Sequence, residues 1–290
     1  MRTYILLSLL LFGALLRATP MVHRFDFNGT LDDDFAGPDL IPVHTTTSSF
    51  NAGNWNWTAT SSPGGGLLLR TTMPNANEYS LRMVFKYNNF YSSWTKILSF
   101  LGYSNSNDFF SSDSGLYFYQ NRLEFYPFIS NPNIPFYPDT WYDLIFTRNA
   151  AGLIRIYMTQ FGQTQQLVLQ FTDPGTDAIP SVDNGLNCWG MFYDDTHTTS
   201  EWTNGGSVAL IEVWSQAEVF DTVQNPVISH TGNQVSLSWD LYPGAISYNV
   251  YAVEDPYYGT WELLGNVMGT ELDFTTTFER RFFQIKAVLP

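Results

Sequence analysis

The sequence predicts an all-β protein made of two antiparallel sandwiches, a large one followed by a small one. Beyond residue 18, Gly, Pro, Asn and Asp interrupt the apolar runs repeatedly, and no run there has the length or period of a helix. Aromatic residues make up 17% of the chain and charged residues only 14%, a balance typical of extracellular β proteins. The hydrophobic fraction of 44% is sufficient to bury a large core.

The large sandwich is predicted from strand-like runs that are bounded by turn-forming residues and lie before residue 216. At least eleven runs of this kind suit a two-sheet jelly roll that forms a single domain over residues 19–219. The predicted strands are residues 24–27, 67–70, 79–87, 96–103, 115–119, 122–126, 141–148, 153–158, 166–171, 188–193 and 208–214.

The small sandwich is predicted over residues 220–290, where short apolar runs follow one another at even spacing. Such spacing favours an immunoglobulin-like antiparallel sandwich over a βαβ unit. Residues 220–226 form the predicted joint, and a joint this short keeps the two domains near each other. The predicted strands are residues 234–240, 248–253, 260–265, 271–275 and 281–288.

Residues 1–18 are predicted to be a secretory signal peptide. Arg2 supplies the positive start, residues 4–16 are almost entirely apolar, and Ala18 is a small residue at the expected cut. The apolar run is shorter than the roughly 20 residues of a membrane span. A buried N-terminal helix is the alternative. We therefore expect a secreted or cell-surface protein without a membrane-inserted segment.

Charge and cysteine content exclude several classes of protein. Thirteen basic and 27 acidic side chains give a net charge of −14, which argues against binding to nucleic acid or to anionic lipid. Cys188 is the only cysteine, so an intramolecular disulfide cannot form. Its strand-like surroundings predict a buried thiol rather than a nucleophile.

Four segments of the first domain form a recognisable series, residues 25–34, 113–126, 140–158 and 192–214. In this order they resemble the laminin-G-like and concanavalin-A-like jelly rolls of bacterial secreted and surface proteins. The resemblance implies a two-sheet jelly roll.

The second domain resembles a fibronectin type III module. Trp239 matches the buried aromatic position of the second strand, and Tyr248 and Tyr251 fall on the third. Phe283 lies in the segment where that family usually places a tyrosine, so the hydroxyl group of a tyrosine corner is absent. The resemblance implies a connector or a binding module.

Catalytic motifs are missing from the sequence. A retaining glycosidase needs two carboxylates, and acids two residues apart on one strand would supply them. Glu124 and Glu212 each stand alone in their strands, and neither a Gly-x-Ser-x-Gly elbow nor a zinc-ligand spacing occurs. The sequence therefore predicts a protein that is not an enzyme.

Calcium is the cofactor that the sequence suggests, because two acidic loops rich in turn-forming residues could supply oxygen ligands. One loop contains Asp32 and Asp34, and the other contains Asp194, Asp195 and Glu201. The alternative is a pair of solvated acidic turns, since Asp and Asn favour turns in any case.

Loop aromatics are the candidate ligand platforms, because sugar binding needs flat rings beside polar side chains. Aromatic residues that anchor loops are the alternative interpretation. The candidates are Trp55, Trp57, Tyr91, Trp94 and Trp202.

These observations favour a non-catalytic binding or adhesion protein that recognises a carbohydrate or an extracellular protein through the jelly-roll loops. Two alternatives remain open. The first is a structural subunit of an extracellular assembly, such as a surface layer or filament, in which the chain would self-associate. The second is a glycoside hydrolase whose carboxylate pair the sequence does not reveal.

Overall fold

The computed structural model confirms the all-β fold class. It describes residues 21–290 except residues 91–93, 121, 132–135, 161–164, 174, 199, 218–225, 240–246, 255–261, 276–281 and 289–290. Every regular element within the described residues is a strand. The predicted signal peptide and all of the predicted joint but Pro226 lie outside them.

Among the described residues before residue 216 there are sixteen strands, consistent with the prediction of at least eleven, and several of the additional ones are short edge or hairpin strands. They are β1 Met21–Phe25, β2 Ile41–Val43, β3 Thr47–Asn51, β4 Asn54–Thr58, β5 Gly66–Thr71, β6 Tyr79–Tyr87, β7 Trp94–Ser99, β8 Gly115–Tyr119, β9 Arg122–Tyr126, β10 Ile129–Asn131, β11 Tyr142–Arg148, β12 Leu153–Gln160, β13 Gln166–Thr172, β14 Ser181–Asp183, β15 Leu186–Met191 and β16 Gly205–Trp214.

These strands form two eight-stranded antiparallel sheets. The first sheet has the order β13-β12-β11-β6-β16-β4-β3, and β1 also pairs with β16. The second has the order β10-β9-β8-β7-β15-β5-β2, and β14 also pairs with β15. Strands that are distant in sequence lie side by side in both sheets, as a jelly roll requires.

The core of the large sandwich lies between the two sheets. Because successive side chains of a strand point to opposite faces, alternate residues enter this core. Phe85 and Leu144 of the first sheet, and Leu116 and Phe125 of the second, are fully buried there. The opposite face of the second sheet carries a smaller buried cluster that includes Leu68 of β5 and Cys188 of β15.

The last six strands form two three-stranded sheets with a core of their own. The first sheet has the order β17-β18-β21 and the second β20-β19-β22. Trp239 and Tyr248 are buried between them, with ring centroids 5.4 Å apart. The strands are β17 Val227–Thr231, β18 Gln234–Ser238, β19 Ser247–Val253, β20 Glu262–Val267, β21 Glu271–Thr275 and β22 Phe282–Val288.

Cys188 is a buried free thiol, as predicted, and burial raises the pKa of this thiol. Within the described part of the chain, no helix has the length and hydropathy of a membrane span.

Candidate functional site

The candidate site lies on the face of the second sheet that points away from the core. Leu116 and Phe118 of β8 are part of the core, so Tyr117 and Tyr119 project from the other face. Register pairs Tyr117 with Lys96 of β7. A lysine is thereby placed on an aromatic surface.

The loop between β15 and β16 covers this surface. Its backbone is held at both ends: the Asp194 amide donates to the Pro63 carbonyl at 2.7 Å, and the Glu201 carbonyl accepts from the Lys96 amide at 3.1 Å. The hydrogen bond between Lys96 and Glu201 continues the pairing of β7 beyond the two residue pairs that it forms with β15. Residues 194–198, 200 and 201 are therefore fixed above Lys96.

Lys96 is a buried cation held by four oxygen atoms. Its Nζ pairs with Asp195 Oδ2 and donates to the Tyr117 hydroxyl at 2.6 Å, to the Ser112 carbonyl at 3.1 Å and to the Asp113 carbonyl at 3.4 Å. Burial lowers the pKa of Lys96, while the charge of Asp195 opposes that shift. The ammonium thus supplies positive charge inside an acidic loop.

Gly115 makes room for this lysine. A Cβ at Gly115 would lie 2.4 Å from the Leu98 carbonyl oxygen and 2.9 Å from Lys96 Cε. Both distances are below any real Cβ contact, so a side chain there would push the lysine away from Asp195.

Asp194 and Asp195 are buried and act on the loop itself. Asp194 accepts from the amides of Asp195 and Glu201, both at 2.9 Å, and Asp195 Oδ1 accepts from the His197 amide at 2.7 Å. Desolvation raises the pKa of Asp194 to about 7, although the two amide hydrogen bonds act in the opposite direction. These two residues shape the loop in which Glu201 lies.

A pocket of about 200 Å³ opens beside the buried lysine. Trp94, Tyr117 and Tyr126 supply aromatic walls, and Asp113 and Glu201 supply carboxylates. Tyr117 is fully buried, whereas Tyr126 is 38% exposed at the rim. Aromatic walls with a few convergent polar groups are the usual make-up of a small-ligand site.

The carboxylates form a compact acidic cluster. One oxygen from each of Asp113, Asp195 and Glu201 lies within 4.8 Å of the others, close enough to hold a metal ion together. Burial raises the pKa of Glu201, and the charges of Asp113 and Asp195 act in the same direction. Within the described residues, Glu201 Oε2 is buried and has no hydrogen-bond partner.

Three of the five predicted aromatic platforms are corrected by the structure. Trp55 and Trp57 are each 1% exposed, because they lie on the core face of β4 and stack on each other at 5.2 Å. Trp202 is only 9% exposed, because its loop packs down on the segment around Gly64. Trp94 lines the pocket. Tyr91 lies outside the described residues.

Some of the predicted metal ligands lie in the acidic cluster and others do not. Asp195 and Glu201 belong to the acidic cluster, whereas both carboxylate oxygens of Asp194 are engaged by backbone amides. Asp32 and Asp34 are exposed and lie outside the cluster; Asp34 Oδ2 is 3.3 Å from Arg24 Nε. Asp32 and Asp34 are thus solvated, as the alternative interpretation held, whereas Asp33 between them is buried.

Sequence reasoning missed Lys96, Asp113, Tyr117 and Tyr126. One signal was available, because Lys96 is a lone charge within an apolar strand run and a buried lysine requires a buried acid. Nothing comparable marked Asp113 or Tyr126, whose positions beside Glu201 depend on how distant loops and strands meet.

Comparison with known proteins gives distant likenesses only. No family model and no curated protein matches this chain. It is similar to a Trypanosoma rangeli sialidase at 12% identity and a TM-score of 0.46, over 69% of this chain and 31% of that one. Likeness to a Shewanella oneidensis protein of unknown function has 13% identity and a TM-score of 0.47, covering 68% and 88% of the two chains.

Domain 4 of an extracellular arabinanase from Geobacillus stearothermophilus, solved with arabinotriose, is 10% identical with a TM-score of 0.45. That likeness covers 69% of this chain and 95% of the arabinanase domain. The chain thus spans only about a third of the length of the sialidase. Likenesses at this level do not bear on what the pocket binds.

Proposed function

We propose that this chain is an exported, non-catalytic glycan-binding protein whose ligand sits in the pocket between β7, β8 and β9. The observation that carries this proposal is the pocket itself, in which Trp94 and Tyr126 stand beside the carboxylates of Asp113 and Glu201. Aromatic rings offer apolar contact to the C–H groups of a sugar, and carboxylates accept hydrogen bonds from its hydroxyl groups.

Rigidity of the walls supports a binding role. Trp94 stacks on Tyr119 with ring centroids 3.8 Å apart, and the Arg122 guanidinium lies 4.7 Å from the Tyr119 ring. The loop that contains Glu201 is anchored to β7. A pocket formed in advance avoids much of the entropy that ordering a flexible site would cost on binding.

The two sandwiches fit the resemblances found in the sequence. We propose a laminin-G-like jelly roll for the first and a fibronectin type III-like module for the second. Two three-stranded sheets enclosing Trp239 and Tyr248 support the second assignment. The smaller module would then act as a spacer or a dock, since the pocket is built entirely by the larger one.

Calcium fits the acidic cluster less well than the sequence suggested. Ca²⁺ takes six to eight oxygen ligands. Lys96 already engages Asp195 Oδ2, the Tyr117 hydroxyl and the carbonyl oxygens of Ser112 and Asp113. We therefore propose that the lysine does the neutralising work of a metal ion in this loop, and that glycan binding persists in EDTA.

One observation favours a second candidate, a glycoside hydrolase. Asp113 and Glu201 have carboxylate oxygens within 4.8 Å of each other in an open pocket, near the separation of about 5–5.5 Å found in retaining enzymes. The pKa of Glu201 is raised, as a general acid requires. Release of reducing sugar from polysaccharides, abolished by Glu201→Gln, would establish this candidate over simple binding.

Binding to immobilised glycans, followed by titration calorimetry on the best ligand, tests the leading proposal. Trp94→Ala should weaken binding at least tenfold, because the substitution removes a pocket wall that packs against Tyr117, Tyr119 and Tyr126. Phe35→Ala is the matched control, since Phe35 is 53% exposed and does not line the pocket. Equal affinities for the two variants, or no glycan bound by the unaltered protein, would refute the proposal.

A further inference from the structure

The three rings that line the pocket stand at right angles to one another. Trp94 is tilted 86° from Tyr117 and 86° from Tyr126, and Tyr117 is tilted 83° from Tyr126. The ring centroids are 5.4, 5.8 and 6.5 Å apart in that order. Perpendicular rings form a corner that touches a compact group on more than one side, whereas a flat platform suits the broad face of a sugar.

The charge in this corner is negative. Asp113 and Glu201 both line the pocket. Lys96 offsets these charges only in part, because its Nζ pairs directly with Asp195 and its charge lowers the pKa of Glu201 less than burial raises it. His197 lies 3.8 Å from Asp113, but its side chain is 62% exposed and its charge, where present, is screened by solvent.

One acceptor in the pocket also lacks a donor. Within the described residues, Glu201 Oε2 is buried without a hydrogen-bond partner. A hydroxyl group would satisfy that oxygen but leave the like charges of Asp113 and Glu201 only partly compensated by Lys96. An ammonium group would satisfy the oxygen, offset both charges and interact with the faces of the surrounding rings.

We propose that the pocket binds a protonated amine, and that the glycan is therefore built of amino sugars with free amino groups. The inference rests on the proposed glycan-binding function of the same pocket and narrows its ligand class. An anionic sugar would meet the carboxylates with repulsion. An N-acetylated amino sugar would lose the charge, because its amide nitrogen cannot be protonated at neutral pH.

Titration calorimetry with two oligosaccharides of equal length tests the inference. One is made of glucosamine and the other of N-acetylglucosamine, in a mildly acidic, EDTA-containing buffer that keeps the amine protonated. The glucosamine oligomer should bind at least tenfold more tightly, and its affinity should fall as sodium chloride is added. An uncharged stacking ligand would show little dependence on salt.

Asp113→Asn and Glu201→Gln supply the matched test of the charges. Both are nearly isosteric, and each should weaken binding of the glucosamine oligomer about tenfold, since a hydrogen bond to a charged group is worth more than one to a neutral group. Binding of the acetylated oligomer should change by less than about threefold. The same substitution at an exposed acid, Asp32→Asn, is the control.

The outcomes separate the two proposals. Equal or tighter binding of the acetylated oligomer overturns the amine inference and leaves glycan binding intact. The amine inference is also overturned if the glucosamine oligomer is still preferred in both the Asp113→Asn and the Glu201→Gln variant. Binding that appears only when Ca²⁺ is added would mean that a metal ion, not an amine, occupies the cluster. No binding of either oligomer or of any arrayed glycan would overturn the glycan-binding function itself.

Discussion

The two acidic loops of this protein have similar compositions and opposite structures. Residues 32–34 form a turn in which only the middle acid is buried, and His23 and backbone amides bind it. Asp194, Asp195 and Glu201 belong to a loop that covers a buried lysine and opens onto the candidate pocket. Proximity to a buried cation, rather than the number of acids, decides which loop becomes a site.

The difference has a simple electrostatic cause. Asp33 can be buried because its acceptors are filled by four nearby donors, three of them backbone amides. Asp195 is buried against Lys96, whose strand is distant in sequence. The donors to Asp33 all lie within 10 residues of it in the chain, whereas the second loop depends on β7, whose Lys96 is 99 residues from Asp195.

The largest effect is expected from breaking the buried pair. Lys96→Met leaves Asp195 uncompensated in a fully buried position, and removal of one partner of such a pair costs about 3–5 kcal/mol. Urea unfolding followed by circular dichroism measures the loss. Lys86→Met is the matched control, because Lys86 pairs with Asp139, which is 74% exposed, and should cost less than about 1 kcal/mol.

A second variant tells pairing apart from simple loss of packing. Lys96→Met combined with Asp195→Asn removes the stranded charge and should recover part of the lost free energy of unfolding. If the double variant is as unstable as the sum of the two single variants, the pair contributes nothing specific and the comparison between the loops fails.

The second effect concerns how stability varies with pH. Burial raises the pKa of Asp194 to about 7, while its carboxyl ionises near 3.9 in the unfolded chain. Between these values the unfolded state releases the proton first, so Asp194 lowers the free energy of unfolding as pH rises, and the loss is complete above the folded pKa. At 1.36 kcal/mol per pKa unit this amounts to about 4 kcal/mol at most.

Asp194→Asn isolates this titration. The asparagine side chain lacks one of the two oxygens that accept from backbone amides, but it cannot ionise. The difference in unfolding free energy between the variant and the unaltered protein should therefore shift in favour of the variant as pH rises. Unfolding free energies of both proteins at about pH 4 and about pH 8 give the shift. If the difference in unfolding free energy between the two proteins does not change with pH, the pKa of Asp194 is not raised in the folded chain.

The sequence predicted the all-β fold well because strand alternation and turn residues are local signals. It located the loop of Asp195 and Glu201, since an acidic loop is also visible locally. It failed for Trp55 and Trp57, which sit in a run that looks like a polar loop but forms β4 against β16. Asp113 and Tyr126 could not be found, because their meeting with Glu201 is a product of tertiary structure.

The smallest effects on the free energy of unfolding are expected in the first acidic loop, whose buried acid is Asp33. Asp33→Asn turns one acceptor oxygen into an amide donor that faces His23 and the surrounding backbone amides. Leaving such buried donors unpaired should cost about 1–3 kcal/mol of unfolding free energy. Asp32→Asn, the same substitution one residue earlier, should stay within about 0.5 kcal/mol because Asp32 is exposed. Neither change should alter glycan affinity, since the turn does not line the pocket; a loss of binding in either variant would show that the first loop contributes to the site after all.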